Sequence, residues 1–434
     1  MTFELSLSTS TIVEDVVRRL GQRPRMPAST PRPVHVVYGG AHLFRAATPA
    51  KLGDLARSAM ESWGSDDLAF GKAVGVEDPE LARIVAARVR AKLARAPLEA
   101  MCIDFEDGYG LRADEEEDAE AVRAAKELAA TPPGPSIGIR IKALSGTTTR
   151  RAIRTLDLFV TALARATNGA LRPGFTVTLP KVTTTAEVDA LVSLLEALES
   201  SLGAPRIGVE LMIETPRALF DERGGVALPS LVEAARGRAE VVHLGAYDLT
   251  AELGVTAGDQ RLDHPYCDLA RMVMQLSVSH VVAVADGATT LMPIPPKGAP
   301  AEEGAAAVHT AWKAHARNVR RAAEVGIWQG WDLHPAQLPA RYGALFAYFL
   351  ERRAALAERL RTFVERATQA TRIGQVFDDA ATGQGLLNFF LRGMACGALD
   401  EDDLRTTTLT MPELESRSFE HIVATRSGSA VKNA

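Results

Sequence analysis

Met101-Cys102-Ile103-Asp104-Phe105-Glu106-Asp107 decides the reading of this chain: a short apolar run that stops on a cluster of acids. The same arrangement recurs along the sequence. Val34-His35-Val36-Val37-Tyr38 precedes it and ends in Gly39-Gly40, while Ile137-Gly138-Ile139 follows it and delivers Arg140. Phe175-Thr176-Val177-Thr178-Leu179 leads through Pro180 to Lys181, and residues 207–213 run into Glu214. Val241-Val242-His243-Leu244-Gly245 leads to Asp248, residues 281–285 end at Asp286, and residues 326–331 end at Asp332 and His334. These eight runs, seven of them closing on charged or metal-competent side chains, alternate with helix-period segments. Strict alternation argues for parallel strands joined by helical crossovers. In a (β/α)8 barrel all strand C-termini face one mouth, where active sites lie. The expected fold is α/β, a (β/α)8 TIM barrel, and the charges gathered at the strand ends point to an enzyme.

The helical segments carry their own signals. Residues 81–94 place Leu81, Ile84, Val85, Val89 and Leu93 on one face, with Arg83, Arg88 and Arg90 elsewhere. Residues 115–129, 152–166 and 186–202 behave in the same way; Thr183-Thr184-Thr185 offers N-cap hydroxyls to the last, and Gly203 stands just past its end. The strands show no clear period-two alternation, as expected for a sheet covered by helices outside and filled by side chains inside. Three regions follow. Residues 1–30 hold a short amphipathic stretch (11–20) and a Pro-rich connector, residues 31–345 form the barrel, and residues 346–434 form a C-terminal helical extension, frayed from about residue 420. Two segments exceed a minimal barrel: an insertion at 63–78, and a long loop over 293–307 of the kind that carries function-specific parts.

Composition narrows the classes. A hydrophobic fraction of 47% in 434 residues is ample for a large core. The net charge of −5, with Lys and Arg scattered, speaks against nucleic-acid or membrane surfaces. Cys102, Cys267 and Cys396 are odd in number and far apart, which fits neither a disulfide framework nor a zinc knuckle and favours a reducing compartment. With no leader-like apolar segment behind basic residues and no run of membrane-spanning length, a soluble cytoplasmic protein is expected.

Glu214 and Asp248 follow strands adjacent around the barrel. Two carboxylates, with the remaining coordination left to water and substrate, are how Mg2+ is usually held, and Mn2+ takes the same oxygen ligands. Each acid alone also reads as a helix cap or an ion-pair partner. Arg140 has the planar fork to bind a substrate carboxylate bidentately, or to pair with Glu106 or Asp107. Lys181 reads either as a Schiff-base nucleophile or as an electrostatic stabiliser, and a metal pair makes the first redundant. Like charges packed as densely as Asp104, Glu106 and Asp107 raise one another's pKa, which suits Asp107 to proton transfer. Asp104 and Glu106 are expected behind the reacting groups, orienting Arg140, Lys181 or metal-bound water, with Asp286 in a similar supporting place. Gly39 and Gly40 would let substrate approach the backbone, and His334 is a further substrate-binding candidate. No other histidine shows ligand spacing, and no phosphate-binding glycine fingerprint follows Gly40.

These residues carry a family resemblance. Ile103-Asp104-Phe105-Glu106-Asp107 resembles the D-L-E-D element of citrate lyase β-subunit-like proteins of the HpcH/HpaI aldolase superfamily. Ile139-Arg140-Ile141, Leu179-Pro180-Lys181, Leu211-Met212-Ile213-Glu214-Thr215-Pro216, Leu244-Gly245-Ala246-Tyr247-Asp248-Leu249 and Leu333-His334-Pro335-Ala336-Gln337 resemble its other elements, in family order across residues 34–345. Lys142-Ala143 stands where the family has asparagine. The resemblance implies a Mg2+-dependent barrel that makes or breaks a carbon–carbon bond beside a carbonyl through an enolate. Glu214 and Asp248 would be the metal ligands and Arg140 the oxyanion or carboxylate binder. It also implies a small carboxylate or acyl-CoA substrate and a homo-oligomer, trimer or hexamer. The segment around Asp378-Asp379 and Gly383-Gln384-Gly385 would be a lid lent to a neighbouring subunit. Cleavage of a hydroxy acid or its CoA thioester is the leading expectation. A malate-synthase-like condensation, and a barrel that binds or regulates without catalysis, are the alternatives.

Overall fold

The computed structural model describes residues 32–372 and 379–428. The amphipathic stretch at 11–20, the connector before residue 32 and Asp378 lie outside the described residues. Eight parallel strands close in chain order: β1 (His35–Gly40), β2 (Ala100–Asp104), β3 (Ser136–Arg140), β4 (Thr176–Leu179), β5 (Gly208–Ile213), β6 (Ala239–Leu244), β7 (Ala283–Ala288) and β8 (Gln329–Asp332), with β8 pairing back to β1. Helices alternate with them, so the chain is a (β/α)8 TIM barrel.

The expectation of strands without alternation is corrected. Met101, Ile103, Ile139, Val177, Leu179, Val209, Leu211, Ile213, Val242 and Leu244 belong to the main core between sheet and helices. Their neighbours in sequence point into the barrel, where Val36, Ala100 and Cys102 form a separate small cluster with Tyr38 and Trp331. Polar inward residues join them: Thr178 donates to Glu210 Oε2 at 2.9 Å, and His243 Nε2 lies 3.1 Å from the same oxygen. Period two is therefore present. The inward set is small or polar while the outward set is apolar.

Outside the sheet, helix Thr149–Ala166 buries Leu156, Phe159, Val160 and Leu163 at helical spacing, each contributing about 1.5–3 kcal/mol relative to exposure. Thr184 and Glu187 close a capping box on helix Thr185–Leu202, which ends at Gly203 in the left-handed conformation. The insertion at 63–78 contains its own helix, Asp67–Ala73, whose N-terminal amides are capped by the Asp66 side chain. It packs against the helix after β7, where His309 Nε2 lies 2.7 Å from the Trp63 carbonyl. That helix, Ala301–Glu324, takes the second half of the expected long loop, leaving residues 289–300 as the connection.

Helix Leu338–Arg372 runs unbroken across residue 345 and on into the C-terminal region. The expected fraying from residue 420 is also corrected: helix Phe419–Ser427 buries Phe419, Ile422 and Val423. Gln384 Oε1 accepts from the Phe419 amide at 2.9 Å, so the 383–385 segment is tied to its own chain. The three cysteines are buried and free, and no helix among the described residues is long and apolar enough to cross a membrane.

Between the sheet and its outer helices lies a buried charge cluster. Arg341 Nε donates to Asp332 Oδ2 at 2.7 Å, with His315 Nε2 3.0 Å from Oδ1 and His35 Nδ1 3.6 Å from Oδ2. Burial lowers His35 to about 4 against the raising pull of Asp332 and Glu99. Burial alone would raise Asp332, but Arg341 and His315 hold it below the usual carboxylate range. Between pH 6.5 and 4 the unfolded chain therefore holds a proton at position 35 that the folded chain refuses, and stability falls as pH falls through that window. A loss of about 3 kcal/mol is expected between pH 7 and pH 4 from this group. Urea unfolding across that range should show it, with His35→Gln flattening the curve.

Candidate active site at the barrel mouth

Glu214 continues the inward parity of β5, and Thr215 turns the chain at once by accepting from the Ala218 amide at 3.1 Å. The register pairing Ile213 with Leu244 sets Glu214 beside Gly245, from which helix Ala246–Glu252 starts and carries Asp248 in its first turn. A Cβ at Gly245 would overlap the Glu214 Cβ and Oε2. Glycine is required here by close approach, not by backbone conformation. Gly245→Ala is expected to cost about 1–3 kcal/mol through overpacking and to displace the Glu214 carboxylate, both readable from urea unfolding with and without Mg2+.

Glu214 is 1% exposed. Its Oε1 accepts from the backbone N–H of Lys181 at 2.6 Å. Lys181 has φ +50°, a conformation unfavourable for a non-glycine residue, adopted where its amide meets this carboxylate. Burial, and then the charge of Asp248, push Glu214 up to about 7, opposed by Arg140 and Lys181. Among the described residues no side-chain cation pairs with Glu214, and the Asp248 carboxylate makes neither a hydrogen bond nor an ion pair. The two carboxylates thus stand near enough for the charge of Asp248 to act on Glu214, with Arg140 and Lys181 close by but paired to neither. No cluster of three or more His, Cys, Asp or Glu side chains able to hold a metal occurs among the described residues. Two oxygen donors alone suit Mg2+, which keeps its waters, and do not suit a structural Zn2+ site.

Arg140 is held from three sides. Its Nε and Nη2 donate to Asp104 Oδ1 and Oδ2 at 2.7 and 2.6 Å, and Nη1 lies 3.2 Å from Glu106 Oε2. The guanidinium lies to one side of the Tyr38 and Trp331 rings, which contact each other edge-to-face, at 5.2 and 5.3 Å from their centroids. Asp104 in turn accepts from the Glu106 and Gly108 amides at 2.9 and 2.7 Å. The arginine is fixed in orientation, with two of its five N–H donors hydrogen-bonded to Asp104.

Lys181 Nζ contacts Glu106 Oε1 and lies 3.3 Å from Asp107 Oδ1. Burial alone would lower its pKa, but the hydrogen bond to Glu106 and the charges of Glu106, Asp107 and Asp248 hold it above the ordinary ammonium range. It is a permanent cation, which disfavours a Schiff-base role. Burial raises Glu106, with Asp107 adding to the effect and Arg140 and Lys181 opposing it. Asp107, the more exposed of the two, is lowered: burial opposes, but its hydrogen bond with Glu106 and the charges of Arg140 and Lys181 outweigh it.

Two of the expected residues take other places, and three others show packing or capping roles. Asp286 points outward, its Oδ1 accepting from Arg271 Nε at 2.7 Å, and Asp332 points outward to Arg341. Asp286 therefore does not support the mouth, because strand parity sends its side chain to the helix layer. His334 Nδ1 accepts from the Ala336 amide at 3.1 Å and caps a short turn, which leaves its Nε2 to carry the proton. A Cβ at Gly40 would overlap the Gly108 carbonyl oxygen, so close packing between the β1 and β2 loops is what excludes a side chain there; a Cβ at Gly39 would stand 3.3 Å from Met101 Cε. Sequence reasoning missed Tyr38, Trp331 and Gly245. The inward parity of the two aromatics on β1 and β8 was the available signal. It also missed that Lys142 turns away from the mouth to a buried pair with Glu117 at 2.6 Å.

Fold and site together define a (β/α)8-barrel protein whose mouth joins paired acids to fixed cations. The chain belongs to the family described as a domain of unknown function, DUF6986, whose model matches residues 18–422. No protein of curated description matches it. Among solved structures it is similar to protein CitE from Mycobacterium tuberculosis in complex with magnesium and acetate, at 23% identity over 58% of this chain and 84% of that one, with a TM-score of 0.38. It is similar to Haloferax volcanii malate synthase in a magnesium/glyoxylate complex, at 14% identity over 93% and 99% of the two chains, with a TM-score of 0.43. It is also similar to an HpcH/HpaI aldolase/citrate lyase family protein from Burkholderia cenocepacia, at 13% identity over 74% and 93%, with a TM-score of 0.37.

Proposed function

We propose that this protein is a Mg2+-dependent carbon–carbon lyase that cleaves a small hydroxy acid, or its CoA thioester, beside a carbonyl through an enolate. The observation carrying this reading is the Glu214–Asp248 pair: two carboxylates, one buried, whose charges act on each other and which have no cationic side-chain ion-pair partner among the described residues. Glu214 and Asp248 would hold the ion, which when bound supplies Lewis-acid polarisation of a substrate oxygen. Arg140, locked by Asp104, presents its remaining N–H groups to a carboxylate or developing oxyanion. Lys181 adds fixed positive charge beside it. Asp107, the more exposed member of the acidic pair, is held ionised by its hydrogen bond with Glu106 and the charges of Arg140 and Lys181, so it would accept a proton from substrate and not carry one in. The ordered motif resemblance to the HpcH/HpaI superfamily supports the same class.

The test is product analysis. Incubation with Mg2+ and a panel of hydroxy acids and their CoA thioesters should give a 2-oxo acid or glyoxylate together with a carboxylate or acyl-CoA fragment. Chelation should stop it, and borohydride with pyruvate should leave Lys181 unmodified. Full activity after metal removal, or a reduced adduct on Lys181, would overturn the proposal.

A further inference from the structure

The interior of a (β/α)8 barrel is normally a solid stack of side chains. Here, among the described residues, the end opposite the mouth leaves a space. A cavity of about 250 Å³ lies among the inward residues near the N-terminal ends of the strands. Its walls are small where a barrel usually places bulky residues: Ala100, Gly138 and Thr176. A Cβ at Gly138 would stand 2.5 Å from Thr176 Oγ1, so the missing side chain also keeps Thr176 in place. The space exceeds the roughly 150 Å³ that accommodates a benzene-sized molecule in an engineered protein cavity.

The lining is acidic and incompletely satisfied. Glu210 reaches in from β5, and burial alone would raise it, but His243 and the Thr178 and Thr176 hydroxyls hold it below the usual carboxylate range. Glu240 borders the same space and is pushed up by burial and by the charge of Glu210. The Arg32 guanidinium stands at the edge, with Nη1 2.7 Å from the Glu240 carbonyl oxygen. Gln329 is the independent observation: it lines the cavity at 7% exposure, and its Oε1 has no hydrogen-bond partner among the described residues. A buried amide left unpaired costs about 1–3 kcal/mol unless a ligand or water answers it. Val36 and Val241 supply an apolar wall. The space is too large for a bare ion and offers no three-ligand metal cluster. Two carboxylates, an open amide and an apolar wall call for a donor-rich cation on a short hydrocarbon body.

We propose that the N-terminal end of the barrel interior is a second ligand site, distinct from the mouth, that takes a small organic ammonium ion between Glu210, Glu240 and Gln329. The ammonium donates to the carboxylates, and the hydrocarbon lies against Val36 and Val241. Binding here does not depend on a metal at the mouth.

The probe is n-butylammonium chloride, with n-butanol as the uncharged control, titrated into the full chain and followed by calorimetry and thermal unfolding. The expected result is saturable binding of n-butylammonium with a raised unfolding temperature, and no matching effect of n-butanol. Glu210→Gln should weaken binding about tenfold or more, the scale of a lost charge-assisted hydrogen bond. Ala100→Leu should abolish it by filling the space. If Glu210→Gln does not fold, Gln329→Met is expected to weaken binding in its place. Asp248→Asn should bind the probe as wild type does, which separates this site from the mouth. Absence of binding, equal stabilisation by n-butanol, or affinity unchanged in the charge and filling variants would each overturn the proposal.

Discussion

Asp248→Asn is expected to abolish the rise in unfolding temperature caused by Mg2+ and to lower turnover by about 10³-fold or more, the scale of losing a principal charge-stabilising element. Its effect without metal is the sharper test. In the folded chain Glu214 titrates near 7 because it is buried and faces Asp248. Between the ordinary carboxylate range and pH 7 the folded state therefore holds a proton that the unfolded state has lost. Stability from this group is present at low pH and lost as pH rises through 7, by an amount on the order of 3 kcal/mol. Neutralising position 248 removes the repulsion. Asp248→Asn in the presence of a chelator should thus be more stable than wild type at pH 8, and similar to it at pH 5. Opposing this is the loss of an acid in the first turn of helix Ala246–Glu252, worth only about 0.3–1 kcal/mol. In wild type, stabilisation by Mg2+ should be larger at pH 8 than at pH 6, because the ion need not displace a proton. Thermal unfolding with chelator and with Mg2+ at pH 5, 6 and 8 decides the matter. If Asp248→Asn is destabilised at every pH and wild type ignores Mg2+, the acid is a helix cap and the metal reading fails.

Asp104→Ala is expected to be the most destabilising single change at the mouth. Arg140 is 3% exposed and both oxygens of Asp104 bind it. Removing the carboxylate leaves a buried guanidinium whose remaining ion partners are Glu106 and Asp107, at the longer distances of 3.2 and 3.9 Å. It also orphans the Glu106 and Gly108 amides. Breaking a buried pair from one side costs about 3–5 kcal/mol. The double variant Asp104→Ala/Arg140→Met should recover part of that loss, since it removes the stranded charge, while remaining inactive. Urea unfolding of the two single variants and the double gives the coupling directly. An Asp104→Ala protein with wild-type stability would mean that Arg140 is not held as described.

Much of the site could be read before the fold was seen, for a local reason. An acid or cation directly after an apolar run lies at a strand end, and strand ends of a parallel barrel share one mouth. Glu214, Asp248, Arg140 and Lys181 were found that way. Asp286 and Asp332 satisfied the same rule, yet both face the helices. Their placement depends on which parity of each strand faces inward, and a shift of one residue reverses it. The run Thr176-Val177-Thr178-Leu179 carried that parity in plain form, but the barrel's inner side is polar enough that only closure reveals it as an interior. Tyr38 and Trp331 escaped because aromatic residues on apolar strands look like core until barrel closure sets both rings beside Arg140.

The order of apolar runs and helical periods determined by itself that this chain is an α/β barrel, because strand and helix patterns, caps and crossovers are set within a few residues of one another. Tertiary structure alone decided which charges are spent on each other and which are left over. Asp104 binds Arg140 across two strands, Glu106 is shared by Arg140 and Lys181, and Asp286 is taken by Arg271 from an outer helix. Glu214 and Asp248 emerge with no side-chain ion pair among the described residues. Pairing depends on distance in space and on burial, and neither is written in the linear spacing of the residues.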